Sequence, residues 1–276
     1  MSVSPILVLL VALAASANPS YSGDGWCEEL AYEATSDQAM HCEVRSFALT
    51  SRPKLRVEAA PNGSIHAKGH PRDDIEVLAR VWTRARTEAR ARALADGVTI
   101  HTDGMLRHEL AQELHSNDRP KDYVEVSYRL AVPHGQDLDL TALNGGIQIE
   151  EVQSRVRFES LNGGVRLYGL GGDVQGHTLN GRLRVRLTGD TWQGRGLDAT
   201  TTNGRVELVV PTGYSAELET GTVNGRLQVD LGELGGDTAQ WISRKGTRLL
   251  ETTLGEGGSP VRVRTTNGRV QIAANR

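Results

Sequence analysis

Ser160-Leu161-Asn162-Gly163-Gly164-Val165-Arg166-Leu167 and Thr178-Leu179-Asn180-Gly181-Arg182-Leu183-Arg184-Val185 are two copies of one pattern. A hydroxyl residue, a spacer and Asn-Gly lead into alternating apolar and polar residues, the mark of a strand with one buried face. Asn-Gly returns at Asn144, Asn162, Asn180, Asn203, Asn224 and Asn267, with an earlier copy at Asn62. From Asn144 the intervals are 18, 18, 23, 21 and 43 residues. Halfway along the longest lies Ser243-Arg244-Lys245-Gly246-Thr247-Arg248-Leu249, where Lys-Gly replaces Asn-Gly. Counting it as a degenerate copy predicts seven consecutive coils of a stacked architecture.

A finer period of nine runs between residues 147 and 187. One apolar column is Ile147, Val156, Val165, Val174, Leu183; a second is Ile149, Phe158, Leu167, Gly176, Val185; a third is Val152, Leu161, Leu170, Leu179. The first two alternate as strand residues do, and the third breaks phase, which marks a bend. Two halves of nine make one coil of 18. The predicted fold is all-β: a parallel β-solenoid with about 18–23 residues per coil, preceded by an irregular N-terminal β segment with one short helix as cap. Asn and Gly are expected at the corners because both tolerate positive φ. The stacked amides of Asn144, Asn162, Asn180, Asn203, Asn224 and Asn267 are expected to form a turn ladder. The alternative is an antiparallel meander, because Asn-Gly is also a strong hairpin signal. The return of the motif every second half-unit favours the solenoid.

The rest of the chain fits that frame. Of 276 residues, 31 are Gly, with only four Trp, six Tyr and two Phe. Basic residues number 31 and acidic residues 34, for a net charge of −3, without the basic excess of a nucleic-acid binder. Ile6 to Ala15 is an apolar run followed by Ala15-Ser16-Ala17, which reads as a secretory leader although no Lys or Arg precedes it. Export to the periplasm, cell envelope or extracellular space follows, with no transmembrane segment after cleavage. Cys27 and Cys42 then read as a disulfide in an oxidising compartment.

Four regions result: a signal peptide over 1–17, a disulfide-bearing segment over 18–50, an irregular β region with a short helix over 51–135, and the repeat domain over 136–276. Strands are expected on either side of Pro61-Asn62-Gly63, over Asp74 to Thr83, over Val98 to Thr102 and over Tyr123 to Val132, with a helix within Arg84 to Ala95. Met105 to Leu114 reads either way. The chain ends on a repeat, Thr265-Thr266-Asn267-Gly268-Arg269-Val270-Gln271-Ile272, so an uncovered last coil is expected.

The repeated T-x-N-G-x-[VIL]-x-[VIL] lines, with Leu140-Thr141-Ala142-Leu143-Asn144-Gly145-Gly146-Ile147 and Gly194-Arg195-Gly196-Leu197-Asp198-Ala199-Thr200-Thr201-Thr202-Asn203-Gly204, resemble the bacterial putative-adhesin family of β-strand-repeat proteins. The resemblance covers roughly residues 52 to 276. It implies a secreted or envelope β-solenoid and brings no catalytic residues with it.

Few residues point to chemistry. His108-Glu109-Leu110-Ala111-Gln112 begins like a zinc-protease helix, but Gln112 stands where the second His is needed. His101, His108 and His115 are spaced by seven with Asp103-Gly104 between the first two, and read as surface histidines. His66 and His70 flank a turn. Calcium would need oxygen ligands at the turns, where Asn-Gly is followed by Arg or Gly rather than by aspartates. No cofactor, metal site or catalytic residue is expected. A carbohydrate-active β-helix enzyme is the outlying alternative, but Glu150, Glu151, Glu159, Asp198 and Glu207 scatter by unit position.

One polar feature recurs: Arg182, Arg205, Arg226 and Arg269 each follow Asn-Gly directly. With Leu183, Val206, Leu227 and Val270 inward, these arginines point outward and stack into a column. Arginine pairs well with carboxylate, sulfate and phosphate. The functional expectation is an exported, non-enzymatic adhesin or envelope-interaction protein whose stripe meets an anionic envelope polymer or surface carbohydrate. The competing reading of the stripe is a solvated face balanced by acids such as Glu207. The competing function is a self-assembling scaffold in which the uncovered last coil associates end to end.

Overall fold

The computed structural model describes residues 25–28, 38–114, 122–229, 240–244 and 247–275. The leader expected over 1–17, and His115, lie outside the described residues. The first part of the chain forms β1 (Ala39–Thr50), β2 (Leu55–Asn62), β3 (Ile65–His70), β4 (Asp74–Ala85), helix α1 (Glu88–Asp96), β5 (Val98–His101), β6 (Met105–Leu110) and β7 (Tyr123–Pro133). Then come β8 (Leu138–Asn144), β9 (Ile147–Glu150), β10 (Gln153–Ser160), β11 (Val165–Tyr168), β12 (Gly171–Asn180), β13 (Leu183–Arg186), β14 (Gly196–Asn203), β15 (Val206–Pro211), β16 (Ala216–Asn224) and β17 (Leu227–Val229). The last are β18 (Gln240–Arg244), β19 (Thr247–Leu254), β20 (Pro260–Asn267) and β21 (Val270–Asn275).

The strands make two large, mostly parallel sheets. The ten-stranded sheet runs β1-β4-β7-β3-β9-β11-β13-β15-β21-β17, and the eleven-stranded sheet runs β18-β19-β16-β20-β14-β12-β10-β8-β2-β6-β5. From β8 to β17 the chain alternates between them, which is why each nine-residue half carries its own strand. Ile147, Val165, Leu183, Val206 and Val270 stand in register across one sheet, each at most 1% exposed. Leu138, Val156, Val174, Leu197, Val261 and Leu218 do the same across the other. Both sets join one apolar core. Burying each such side chain contributes about 1.5–3 kcal/mol, so a slip by one residue would forfeit a whole column. Phe158 needs a gap in its column, and Gly176 supplies it: a Cβ there would strike the Phe158 ring. The third column is less uniform than its spacing suggests, with Val152 buried but Leu161 37% exposed.

Three expectations are corrected. First, the units are not stacked in chain order. β20 lies between β14 and β16, and β21 between β15 and β17, so the last repeat is an interior level. The uncovered C-terminal coil on which end-to-end association was to rest is therefore not an end. Secondly, the half-way feature in the long interval is not a repeat. Gln240–Arg244 and Thr247–Leu254 pair antiparallel, with Arg244 opposite Thr247, and β19 pairs antiparallel with β16. Lys245 and Gly246 themselves lie outside the described residues. A two-residue link suits a hairpin, and this hairpin covers the edge that β16 would otherwise expose. Thirdly, the corner glycines are not there for positive φ. Of the Asn-Gly glycines only Gly63 has it, and none of the asparagines does. A Cβ at Gly145, Gly163, Gly181, Gly204, Gly268 or Gly225 would instead collide with the carbonyl oxygen of the corner glycine on the adjacent level. Backbones meet too closely there for any side chain.

The N-terminal part extends the same sheets. β2 pairs parallel with β8 and β3 with β9, bringing Asn62 into register with Asn144. β7 then runs parallel to β3, and β4 and β1 follow as antiparallel neighbours. Thr87 caps the helix by accepting a hydrogen bond from the Arg90 backbone N–H, and Ala91, Leu94 and Ala95 are its buried residues. Met105–Leu110 is a strand, followed by a short 3-10 turn over Gln112–Leu114.

Candidate anion-binding face

The motif residues build two ladders at one corner. Asn162 Nδ2 donates to Asn144 Oδ1 at 2.9 Å, Asn180 to Asn162 at 2.9 Å and Asn203 to Asn180 at 2.9 Å. Asn267 then donates to Asn203 at 2.8 Å, and Asn224 to Asn267 at 2.9 Å. At the other end Asn144 donates to Asn62 at 3.3 Å, and Asn62 donates to the Val124 carbonyl at 3.2 Å. Two residues before five of them, Asn162, Asn180, Asn203, Asn267 and Asn224, a buried hydroxyl makes a parallel ladder; Ala60 and Ala142 stand there before Asn62 and Asn144. Ser160 donates to the Gly145 carbonyl at 3.2 Å, Thr178 to Gly163 at 2.8 Å, Thr201 to Gly181 at 2.9 Å, Thr265 to Gly204 at 3.0 Å and Thr222 to Gly268 at 3.0 Å. The Arg248 guanidinium of β19 takes the last carbonyl, that of Gly225. The three motif positions thus have distinct physical duties: buried hydroxyl, exposed amide and absent side chain.

Immediately beyond this corner the four arginines come together. Val165 N–H donates to the Arg182 carbonyl, Leu183 to Arg205, Val206 to Arg269 and Val270 to Arg226. The column therefore reads Arg182, Arg205, Arg269, Arg226, with the last two exchanged relative to chain order. Strands stack about 4.8 Å apart, so the cations repeat at that step. Glu207 is the shared counter-charge: its carboxylate lies 3.7 Å from Arg182, 2.6 Å from Arg184 and 3.7 Å from Arg205. One carboxylate cannot neutralise three guanidinium groups. Arg226 and Arg269 make no ion pair among the described residues. Exposed pairs of this kind are worth about 0–1 kcal/mol, so an incoming anion can compete for them.

The outer face of the eleven-stranded sheet differs: there the charges alternate and cancel. Arg157 pairs with Asp173 at 3.2 Å, Arg264 with Asp198 at 2.9 Å and with Glu219 at 3.0 Å, and Arg262 with Glu219 at 3.0 Å. Of the scattered acids, Asp198 lies on this face, while Glu150 and Glu207 lie on the ten-stranded sheet. No cluster of three or more His, Cys, Asp or Glu suited to a metal occurs among the described residues.

The histidines are not all surface residues. His108 is half-buried on β6, 3.3 Å from the Tyr128 hydroxyl, and burial pushes its pKa down to about 4. His101 lies 3.3 Å from Glu109. His70 is buried and accepts from the Arg72 backbone N–H at 3.0 Å. His66 lies 2.9 Å from Glu150. Burial, with Arg129 and Lys68 nearby, outweighs the Glu150 contact and lowers the His66 pKa. Burial opposes ionisation of Glu150, but hydrogen bonds from Gln148 and His66 and the neighbouring positive charges win and lower its pKa.

A second cationic group has no repeat to announce it. Cys27 and Cys42 form a disulfide with their Cα atoms 5.8 Å apart, tying Trp26 to β1. Trp26 lies against the Arg129 guanidinium at 4.1 Å and that of Arg80 at 4.9 Å. Beside it, a cavity of about 310 Å³ opens on the ten-stranded sheet, bounded also by His66, Gln148 and Arg166.

No family model matches the chain, and no curated protein does. Distant likenesses occur among solved structures. A putative cell adhesion protein from Clostridium sporogenes ATCC 15579 is 9% identical with a TM-score of 0.39, over 84% of this chain and 100% of that one. A putative adhesin from Bacteroides fragilis NCTC 9343 is 9% identical with a TM-score of 0.34, over 84% and 97%. A putative lipid binding protein from Parabacteroides distasonis ATCC 8503 is 10% identical with a TM-score of 0.32, over 84% and 96%. TM-scores this low assign neither a family nor an activity.

Proposed function

We propose that the chain is an exported, non-enzymatic β-solenoid that holds an acidic polymer of the cell envelope, or an acidic surface carbohydrate, along its arginine column. The observation that carries this reading is the stack of Arg182, Arg205, Arg269 and Arg226, in which Arg182 and Arg205 share the Glu207 carboxylate with the neighbouring Arg184. Cations repeating at about 4.8 Å suit a ligand that also repeats its charge, rather than a single small substrate. The in-step parallel pairing of strands that alternate between two sheets supports the solenoid. The Cys27–Cys42 bridge supports an oxidising compartment, as does the apolar N-terminal run.

The test is calorimetric titration with polygalacturonate against neutral dextran. Binding of the acidic polymer alone, weakening as salt is added, is expected. An Arg226→Glu/Arg269→Glu variant that stays folded by circular dichroism should lose most of it. Unchanged affinity in that variant would reject the column.

A further inference from the structure

We infer that the cavity beside Trp26 is a second binding site, which takes one oxyanion-bearing monosaccharide unit, the oxyanion being carboxylate or phosphate. The site stands on its own residues and does not depend on the arginine column. The cavity, of about 310 Å³, lies over β3, β7, β9 and β11. That is the lower end of the size range of small-molecule sites and far larger than a bare carboxylate or phosphate needs.

Its chemistry is cationic and hydrogen-bonding. Arg80, Arg129, Arg166 and His66 line it, and among the described residues no carboxylate does. Two acids are engaged at its margins: Glu125 with Arg80 at 3.2 Å and with the Ser127 hydroxyl at 2.9 Å, and Glu150 with His66 at 2.9 Å and with the Gln148 amide N–H. Arg166 is exposed at the mouth and makes no ion pair among the described residues, so its planar fork is open to a carboxylate or phosphate. Gln148 and Ser64 add amide and hydroxyl groups suited to sugar hydroxyls. A fatty or aromatic acid would find little apolar wall.

Trp26 gives the site its shape. It is 5% exposed, so it does not offer a free stacking face; it fixes the Arg129 and Arg80 guanidinium groups, and its carbonyl accepts from Arg80 Nη1 at 3.2 Å. The adjacent Cys27–Cys42 bridge holds Trp26 in place across a sequence separation of 15. Ligand capture should therefore depend on the bridge as well as on Arg166.

The experiment is ligand-observed NMR and calorimetry on the oxidised protein with glucuronate, glucose 6-phosphate, glucose and inorganic phosphate as probes. Saturable binding of glucuronate, glucose 6-phosphate or both is expected, with none for glucose. Glucuronate alone would identify the oxyanion as carboxylate, and glucose 6-phosphate alone as phosphate. Arg166→Ala should weaken binding by about tenfold or more, the loss of one charge-assisted pair, and Arg166→Lys should recover it only partly. Arg226→Glu/Arg269→Glu should leave it unchanged, which separates this site from the column. Reduction of the disulfide should weaken binding while the circular dichroism of the sheets persists. Four results would each overturn the inference: no saturable binding of either acidic sugar, equal binding of glucose, inorganic phosphate binding as tightly as the sugars, or full affinity in Arg166→Ala.

Discussion

Asn267 donates its side-chain amide to Asn203, 64 positions earlier, at 2.8 Å, and in turn accepts from Asn224 at 2.9 Å. It is an interior rung of the amide ladder, the last but one, with Asn224 beyond it. Asn267→Ala should remove both bonds at an exposed corner. Each is worth about 0.5–1.5 kcal/mol net, so a loss of roughly 1–2 kcal/mol in urea unfolding is expected. Asn224→Ala, at the end of the ladder, removes a single ladder bond and should cost less. Equal losses at both positions would mean that the ladder is not what the measurement senses.

Gly204 distinguishes the two physical reasons for a corner glycine. Its φ is not positive, and a Cβ there would collide with the Gly181 carbonyl oxygen, backbone that cannot step aside. Gly213 is the converse, with φ of +77° and open space around the missing Cβ. Gly213→Ala should cost about 1–2 kcal/mol from strained φ alone. Gly204→Ala should cost more, from overpacking and a broken register, and should fall among the most destabilising single substitutions. Thermal unfolding of the pair decides it. A milder Gly204→Ala would mean that the levels can spread at no great cost.

What the sequence showed and what it hid follow from how local each feature is. Columns such as Ile147, Val165 and Leu183 were legible because alternation is a local property that stacking only repeats. The outward arginines were legible for the same reason, since each is fixed relative to its own Asn-Gly. The order of levels was not. Thr222-Val223-Asn224-Gly225 and Thr265-Thr266-Asn267-Gly268 present the same ladder edges, so either could follow Asn203. The long excursion after Asn224 leaves enough chain for a covering hairpin before the last repeat inserts. β1 was missed altogether: its register against β4 joins Ala39 to Ala85 and Thr50 to Asp74, a pairing no repeat announces. The Trp26 cavity was missed because it assembles Trp26, Arg129 and Arg166 from distant segments whose spacing carries no period. His66 and Glu150, 84 positions apart, meet for the same reason.

His108 should make stability fall on mild acidification. Burial holds its pKa at about 4 in the folded protein, below the ordinary value of 6.5. As pH falls, the unfolded chain therefore takes up this proton first. The contribution is intact above about 6.5, is lost progressively down to about 4, and changes little below that. At 1.36 kcal/mol per pKa unit the loss reaches up to about 3 kcal/mol. Urea unfolding at a series of pH values should show this slope, and His108→Gln should flatten it whatever the variant's absolute stability. A wild-type slope that survives in His108→Gln would assign it to other groups.

Glu207 should act as a brake on anion binding. Its carboxylate lies within 3.7 Å of Arg182, Arg184 and Arg205, and its side chain is 18% exposed while that of Arg182 is 54% exposed. An acidic polymer that settles on the column must compete with this carboxylate and feel its repulsion. Glu207→Gln keeps the shape and removes the charge, leaving the three guanidinium groups without their shared partner. Tighter binding of polygalacturonate is then expected, by roughly threefold to tenfold at low ionic strength if about 1 kcal/mol of exposed pairing is released. The gain should shrink as salt approaches physiological strength, where the screening length is about 8 Å. Stability should drop only slightly, because exposed pairs contribute little. Weaker binding in Glu207→Gln would mean that the carboxylate orders the arginines for the ligand rather than competing with it, and the column would have to be redrawn around Glu207 as a positioning residue.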